Sequence, residues 1–323
     1  MDLSRSRATL ALLPTPLVRA SRLEHALDAG PIFFKRDDLT GFGLAGNKAR
    51  ALEYLVGAAL AEGCDVFVAT GSPSSNFCAA AAMAARVAGL DCDLLFPGQP
   101  PSTPSVNVQL ARAAGARLIF GAAKTREQLD AAVAEHADSL GARGRRPYAV
   151  PRGGATAVGA VGFVRAAREL SEQCEDADLA PRTIVMATGS GGSQAGLVAG
   201  RAELGTSWQV VGAGVSRPAP DVAGQVLRLS RECAASLCLA APAAEDVDVR
   251  DCRGAGFGIA SDQDRISSQL ALEHEGLLLD DFYGAKAMTL LRNLLAEDPE
   301  GPIVFWHTGG VAAALTSLVG RAS

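Results

Sequence analysis

Lysine is scarce in this 323-residue chain, confined to Lys35, Lys48, Lys124 and Lys286, and aromatic residues make up only 5%. No run of about 18 uncharged apolar residues occurs, so no membrane-spanning helix is expected. The N-terminal Met1-Asp2-Leu3-Ser4-Arg5 lacks the long apolar core of a secretory leader, so the default expectation is a cytoplasmic address. The net charge is −5 and no basic stretch is longer than Arg143-Gly144-Arg145-Arg146, which argues against a nucleic-acid partner. Seven cysteines are an odd number without a C-x-x-C pair, as expected of reduced, small apolar residues rather than a disulfide framework. His25, His136 and His274 have no partner at ligand spacing, so no metal site is expected. There is no G-x-x-x-x-G-K-[ST] loop and no G-x-S-x-G elbow, which speaks against P-loop hydrolysis and a serine hydrolase. A small-molecule partner remains.

What is present is an α/β alternation. At 48% hydrophobic and 20% charged, the chain can bury a substantial core, and its length suggests two domains. Short β-branched or aromatic runs predict strands at 32–35, 66–69, 93–96, 118–120, 148–150, 183–187, 209–213, 247–250 and 303–306. Alanine-rich amphipathic stretches between them predict helices near 47–62, 75–88, 105–114, 125–140, 156–174, 193–204, 219–235, 262–275, 284–296 and 310–319. Such alternation calls for parallel sheets sandwiched between helices, with ligands at the carboxyl ends of strands. A domain boundary is expected near Pro147–Gly154.

Lys48 follows Gly41-Phe42-Gly43-Leu44-Ala45-Gly46-Asn47 at the opening of a helix. A cation there opposes the helix dipole at a cost of about 0.3–1 kcal/mol, less than about one pKa unit. Desolvation or a nearby cation must supply the rest if the amine is to approach neutrality. A lysine so tuned attacks carbonyls, and the usual one is the aldehyde of pyridoxal phosphate. Lys35 in a charged strand end and Lys124 opening a polar helix are weaker candidates, and Lys286 lacks a glycine-rich approach. The glycines before Lys48 match G-x-G-x-x-G, but Arg36-Asp37-Asp38-Leu39-Thr40 separate them from the preceding strand. The next strand ends without the acid that would hold a ribose.

Two further loops open helices. Thr188-Gly189-Ser190-Gly191-Gly192-Ser193 follows a strand and offers free backbone N–H groups to a phosphate. Gly71-Ser72-Pro73-Ser74-Ser75-Asn76 reads on its own as an ordinary N-cap, and beside Lys48 and a phosphate loop as a clamp for an amino-acid carboxylate, with Ser75 near enough to move a proton. His307, in Trp306-His307-Thr308-Gly309-Gly310, reads as a satisfied strand-end histidine; Tyr283 reads as a buried or interface aromatic.

Together these segments resemble the D-cysteine desulfhydrase and 1-aminocyclopropane-1-carboxylate deaminase family of pyridoxal-phosphate enzymes, of the tryptophan synthase β fold type. The shared segments include Pro14-Thr15-Pro16-Leu17, Lys35-Arg36-Asp37-Asp38, Gly46-Asn47-Lys48-Ala49-Arg50, Ser75-Asn76, Gly153-Gly154, Gly189-Ser190-Gly191-Gly192, Glu275-Gly276, Tyr283, Lys286-Ala287-Met288 and His307-Thr308-Gly309-Gly310. The resemblance implies two open, twisted, mostly parallel sheets with the cofactor in the cleft between a larger domain, 1–46 with 155–323, and a smaller one, 47–154. It implies that Lys48 bonds the cofactor's aldehyde, Asn76 its phenolic oxygen, the 189–193 loop its phosphate and Thr308 its ring nitrogen. Ser74, Ser75, Asn76, Phe77, Phe257 and Tyr283 would then form the substrate pocket, and the enzyme would be a homodimer.

The chain also departs from that pattern. Phe77 stands where relatives carry histidine, Phe257 where they carry tyrosine, Pro73-Ser74 precede Ser75 where glutamine is common, and Gly284 replaces the deaminases' glutamate. The expectation is a lyase that eliminates a β-substituent from a small, D-cysteine-like amino acid, releasing a 2-oxo acid and ammonia. Alternatives are a deaminase, a β-replacement or cyclising enzyme, and a non-catalytic cofactor-binding homologue.

Overall fold

The computed structural model describes residues 6–123 and 125–322, so the expectation for Lys124 lies outside the described residues. In chain order, the strands and helices are β1 (Leu17–Arg19), α1 (Ser21–Leu27), β2 (Ile32–Arg36), α2 (Lys48–Ala61), β3 (Val66–Thr70), α3 (Asn76–Val87), β4 (Asp91–Pro97) and α4 (Val106–Ala113). They continue with β5 (Arg117–Gly121), α5 (Arg126–Gly141), β6 (Pro147–Ala149), α6 (Ala157–Asp176), β7 (Thr183–Thr188), α7 (Gly192–Leu204) and β8 (Gln209–Gly214). The last are α8 (Ala219–Ser236), β9 (Asp248–Asp251), α9 (Asp262–Glu275), α10 (Gly284–Glu297), β10 (Ile303–His307) and α11 (Val311–Ala322).

The strands form two sheets, one of six strands in the order β1-β2-β10-β7-β8-β9 and one of four in the order β5-β4-β3-β6. All pairings are parallel except β1 with β2, and the α/β class expected from the alternation is the class observed. β3 and β10 are buried along their whole length, as strands covered on both faces must be.

The order of each sheet decides where a ligand can sit. In the four-stranded sheet the chain runs outward from β3 to β4 and β5, then returns to place β6 on the other side of β3. In the larger sheet it runs from β7 to β8 and β9, then returns to insert β10 between β2 and β7. Connections that leave neighbouring strands in opposite directions open a crevice at the carboxyl ends. The loops after β3, β6, β7 and β10 all line one cleft.

A buried ionic cluster holds α2 against the larger sheet. Arg50, 1% exposed, donates to Asp37 from Nε at 2.9 Å and Nη2 at 2.8 Å, and to Glu169 on α6 from Nη1 at 2.9 Å and Nη2 at 2.8 Å. Trp306 Nε1 donates to Asp37 at 2.8 Å, and Lys35, fully buried, reaches the Thr15 carbonyl, Glu169 and Gln173. Burial pushes the Glu169 carboxyl up, but Arg50 and Lys35 outweigh it and bring the group down to about 2.

A carboxyl held below its unfolded value of about 4.5 contributes stability that is complete above that pH and is lost as pH falls towards 2. Glu169→Gln should therefore cost about 3–5 kcal/mol at pH 7, the usual effect of breaking a buried pair. It should also flatten the decline in stability below pH 4.5, measured by urea unfolding at a series of pH values. Equal pH slopes for variant and parent would overturn this assignment.

Candidate active site

Lys48 opens α2 without a side-chain cap from Asn47, and the first N–H groups of the helix are taken by local turn carbonyls, Lys48 N donating to Ala45 at 3.1 Å and Ala49 N to Gly46 at 3.2 Å, while longer-range bonds fix the segment before it. Asn47 N donates to the Thr308 carbonyl at 3.0 Å, Asn47 Nδ2 to Ser193 Oγ at 3.1 Å, and Thr40 Oγ1 to the Gly46 carbonyl at 3.0 Å. The close approach depends on Gly46, at φ +55°, where a methyl group would lie 2.4 Å from the Thr308 oxygen. These bonds bring Lys48, the 189–193 loop and Thr308 to one wall. Desolvation lowers the Lys48 amine to about 8. At pH 7 about one molecule in ten then carries the neutral amine, against about one in three thousand for an ordinary lysine. The dipole argument alone could not have produced such a shift; burial supplies it.

The opposite wall is the loop after β3. Ser75 is the N-cap of α3 and accepts from Cys78 N at 3.2 Å, so the ordinary capping role is realised, and Ser75 and Asn76 also face the cleft. The Cys78 thiol, buried behind this wall, is pushed up to about 12 by burial. Asn107, on α4, was not signalled by any motif. Its Nδ2 donates to the Ser74 carbonyl at 2.8 Å and to Asn76 Oδ1 at 2.9 Å. A carbonyl can only accept, so Asn107 must present its amide nitrogen here, and Asn76 must answer with oxygen. That leaves the Asn76 amide N–H₂ as a donor.

The floor of the cleft comes from the turn Arg152–Gly154 and the loop after β7. A side chain on Gly154, at φ +60°, would meet the Phe77 ring at 2.6 Å, so Phe77 is packed, 2% exposed, beneath the site. Phe257 is 40% exposed and makes edge contacts with Phe282 at 5.3 Å and with Tyr283 at 5.6 Å. Tyr283 lies against Gly189, and burial raises its phenol well above the usual tyrosine range, Asp280 adding to the shift. Asp280, which ends the shared segment that begins at Glu275-Gly276 and was given no role by the sequence, accepts from the backbone N–H groups of Phe282, Tyr283 and Gly284. Burial pushes its carboxyl up to about 6 despite those three donors.

Among the expected site residues, Lys48, Ser75, Asn76, Phe77, Gly189, Ser190, Gly191, Ser193, Phe257, Tyr283 and Thr308 gather around this cleft of about 730 Å³. Ser74 turns its hydroxyl to Ser72 at 3.1 Å, and neither Ser74 nor Gly192 lines the space. Lys286 is excluded by its partners: it donates to the carbonyls of Arg253 and Ile259, each at 2.9 Å, and so braces the loop that carries Phe257. His307 accepts from Gly309 N at 3.2 Å and burial lowers its pKa, in keeping with a satisfied strand-end histidine. His136 is bonded to Asp93 at 2.6 Å, a partner far from it in sequence.

The donor set fits an aromatic aldehyde bearing a phosphate. Gly191, at φ +89°, lets the main chain turn into α7 so that N–H groups at a helix N-terminus face the cleft, the usual seat of a phosphate. A partly desolvated amine, a free amide donor and the Thr308 hydroxyl complete the requirements of the ring. The fold and site thus define an enzyme that works through an aldehyde cofactor.

The chain belongs to the pyridoxal-phosphate dependent enzyme family, whose model matches residues 8–309. It is 37% identical over 317 residues to a D-cysteine desulfhydrase of Klebsiella pneumoniae, covering 95% of this chain and 94% of that one. It is 35% identical over 318 residues to a D-cysteine desulfhydrase of Salmonella newport, with the same coverage. Among solved structures, the crystal structure of an ACC deaminase homologue superposes with a TM-score of 0.91 at 31% identity, covering 98% of this chain and 96% of that one.

If Asn107 orients Asn76, Asn107→Ala should lower kcat about tenfold or more and shift the visible absorption of bound cofactor. Thermal stability should fall by only a few degrees. An unchanged spectrum and kcat would show that Asn107 merely tethers α4.

Proposed function

We propose that the chain is a lyase acting on a small β-substituted amino acid of the D-cysteine type, releasing a 2-oxo acid and ammonia. The observation that carries the reading is a desolvated Lys48 amine set between an anion-binding helix terminus and the Ser75-Asn76 wall. When bound, pyridoxal phosphate withdraws electrons from the substrate α-carbon. Lys48 Nζ is the group that would hold the cofactor's aldehyde, and with its pKa lowered to about 8 it would be able to take and return the substrate's α-proton at neutral pH. Ser75 and the α3 N-terminus would hold the substrate carboxylate, and the free amide nitrogen of Asn76 would serve the phenolic oxygen of the cofactor. N–H groups of 189–193 would hold its phosphate, and Thr308 Oγ1 would serve its ring nitrogen. A hydroxyl there leaves the ring less electron-demanding than an acid would, which suits a rapid elimination.

Tyr283 is assigned as a proton donor near the β-carbon rather than a base, because its raised pKa keeps it protonated throughout the neutral range. Phe257 fills the place of a hydroxyl on the far side of Tyr283, which favours elimination over cyclopropane opening. The cleft is proposed to lie between a unit of residues 1–46 with 155–323 and one of 47–154, in a cytoplasmic homodimer.

Purified holoenzyme offered D-cysteine, L-cysteine, β-chloro-D-alanine and 1-aminocyclopropane-1-carboxylate should release pyruvate and ammonia from at least one of the first three. Lys48→Ala should abolish turnover and the visible cofactor absorption together. Absence of oxo acid from the whole panel with cofactor bound would sink the lyase reading. Release of 2-oxobutanoate from the cyclopropane alone would replace it with the deaminase.

A further inference from the structure

The cleft holds arginines that the chemistry above does not use. Arg126 opens α5 and Arg152 follows β6, both on the four-stranded side, while Arg217 follows β8 on the six-stranded side. All three line the same space as Lys48 and Tyr283. The carboxylates of Glu127, Asp130 and Asp221 line it too, yet they leave these cations poorly paired. Arg152 Nη2 reaches Asp130 Oδ2 only at 3.3 Å. Among the described residues, Arg126 and Arg217 make neither an ion pair nor a side-chain hydrogen bond, and the Nε atoms of Arg152 and Arg217 are buried without a partner. Arg228 differs, being paired with Glu232 at 2.5 Å on its own helix.

Burial lowers the pKa of all three guanidinium groups, and each is lowered further by one of the other two. Arg126 is also close enough to Tyr283 for its charge to oppose the upward shift of that phenol. Glu127, Asp130 and Asp221 offset the lowering in part through their charge, but only Asp130 is in contact, so three half-buried cations line the cleft beside Tyr283 with donor N–H groups unused. Planar guanidinium forks match an oxyanion, and such charge-assisted bonds are among the strongest available to a ligand.

We propose that Arg126, Arg152 and Arg217 form a subsite for the distal oxyanion of an amino-acid substrate, a carboxylate, sulfonate or phosphate carried beyond its β-carbon. The proposal rests on the reading of the cleft as an amino-acid site, and it adds amino acids with a second acidic group to the substrates that reading admits. Phe77 and Phe257 supply apolar surface to the same cleft.

The test is a titration of holoenzyme, followed by the cofactor's visible absorption, with pairs alike except for the distal charge. Suitable pairs are aspartate with asparagine and O-phosphoserine with O-methylserine, in both enantiomers. At low salt the anionic member of at least one pair should bind about tenfold or more tightly, and the gap should narrow as salt rises. Arg126→Gln should reduce the gap to about twofold, with the cofactor retained after dialysis. Equal affinities within every pair, or no binding of any anionic member, would overturn the subsite. Loss of cofactor from Arg126→Gln would overturn it as well, by assigning the arginines to the cofactor's phosphate. Release of 2-oxo acid is measured separately: an affinity gap without any turnover would keep the subsite and remove the lyase reading, and turnover without a gap would do the reverse.

Discussion

The contact on which the site depends is the buried fork of Arg50 between Asp37 and Glu169. Arg50 lies two residues beyond Lys48, about 200° further around α2, so the two side chains leave the helix on nearly opposite faces. One anchors the helix in the larger sheet while the other faces the cleft. The anchor is costly to desolvate and would be a poor choice for stability alone. Its geometry is what it contributes. A bidentate fork with further bonds to Thr15, and with Asp37 also bonded to Trp306, fixes the rotation of α2, and therefore the direction of Lys48, far more narrowly than apolar packing would. The same cluster joins β2, β10 and α6, the elements adjoining Thr308 and the 189–193 loop.

Around that anchor, the two sheets contribute complementary chemistry. The larger one presents backbone donors and a hydroxyl at the ends of β7 and β10, suited to a ligand that stays. The smaller one presents Ser75, Asn76 and the arginines after β6 and at the head of α5, suited to a ligand that comes and goes. Lys48 joins the two, at the first residue of the helix that packs on both α3 and α6.

Much of this was legible because the signals are local. Glycines 189, 191 and 192 announce a strand-to-helix turn, the alternation of apolar runs gives the parallel strands, and a lysine at a helix start is conspicuous on electrostatic grounds. What was missed is either short or distant. β1 has three residues and α1 has seven with only Leu23 buried, too few for a period to register. Asn107 and Asp280 act through partners that only the fold supplies, and the arginines sit in three separate segments whose spacing carries no pattern. Lys35 and Lys286 looked like competitors of Lys48 in the sequence, and only their carbonyl and carboxylate partners remove them. The Ser75 hydroxyl shows why the choice between cap and clamp could not be made locally: the position at the head of α3 that bonds Cys78 also faces the cleft.

Burial acts on Lys48, Tyr283 and Asp280 in opposite senses. Desolvation disfavours charge, so it lowers the Lys48 amine towards neutrality while it raises Tyr283 and Asp280 away from ionisation. The same low-polarity walls thereby make the lysine easier to deprotonate and keep the tyrosine protonated, without either needing the other as a partner. The arginines are the exception, since a guanidinium cannot shed its proton to escape burial. Their strain can be relieved only by an anion from outside. A cleft that brings its lysine down to a pKa of about 8 yet keeps three arginines charged therefore points beyond the reacting carbon to the part of the ligand that remains acidic.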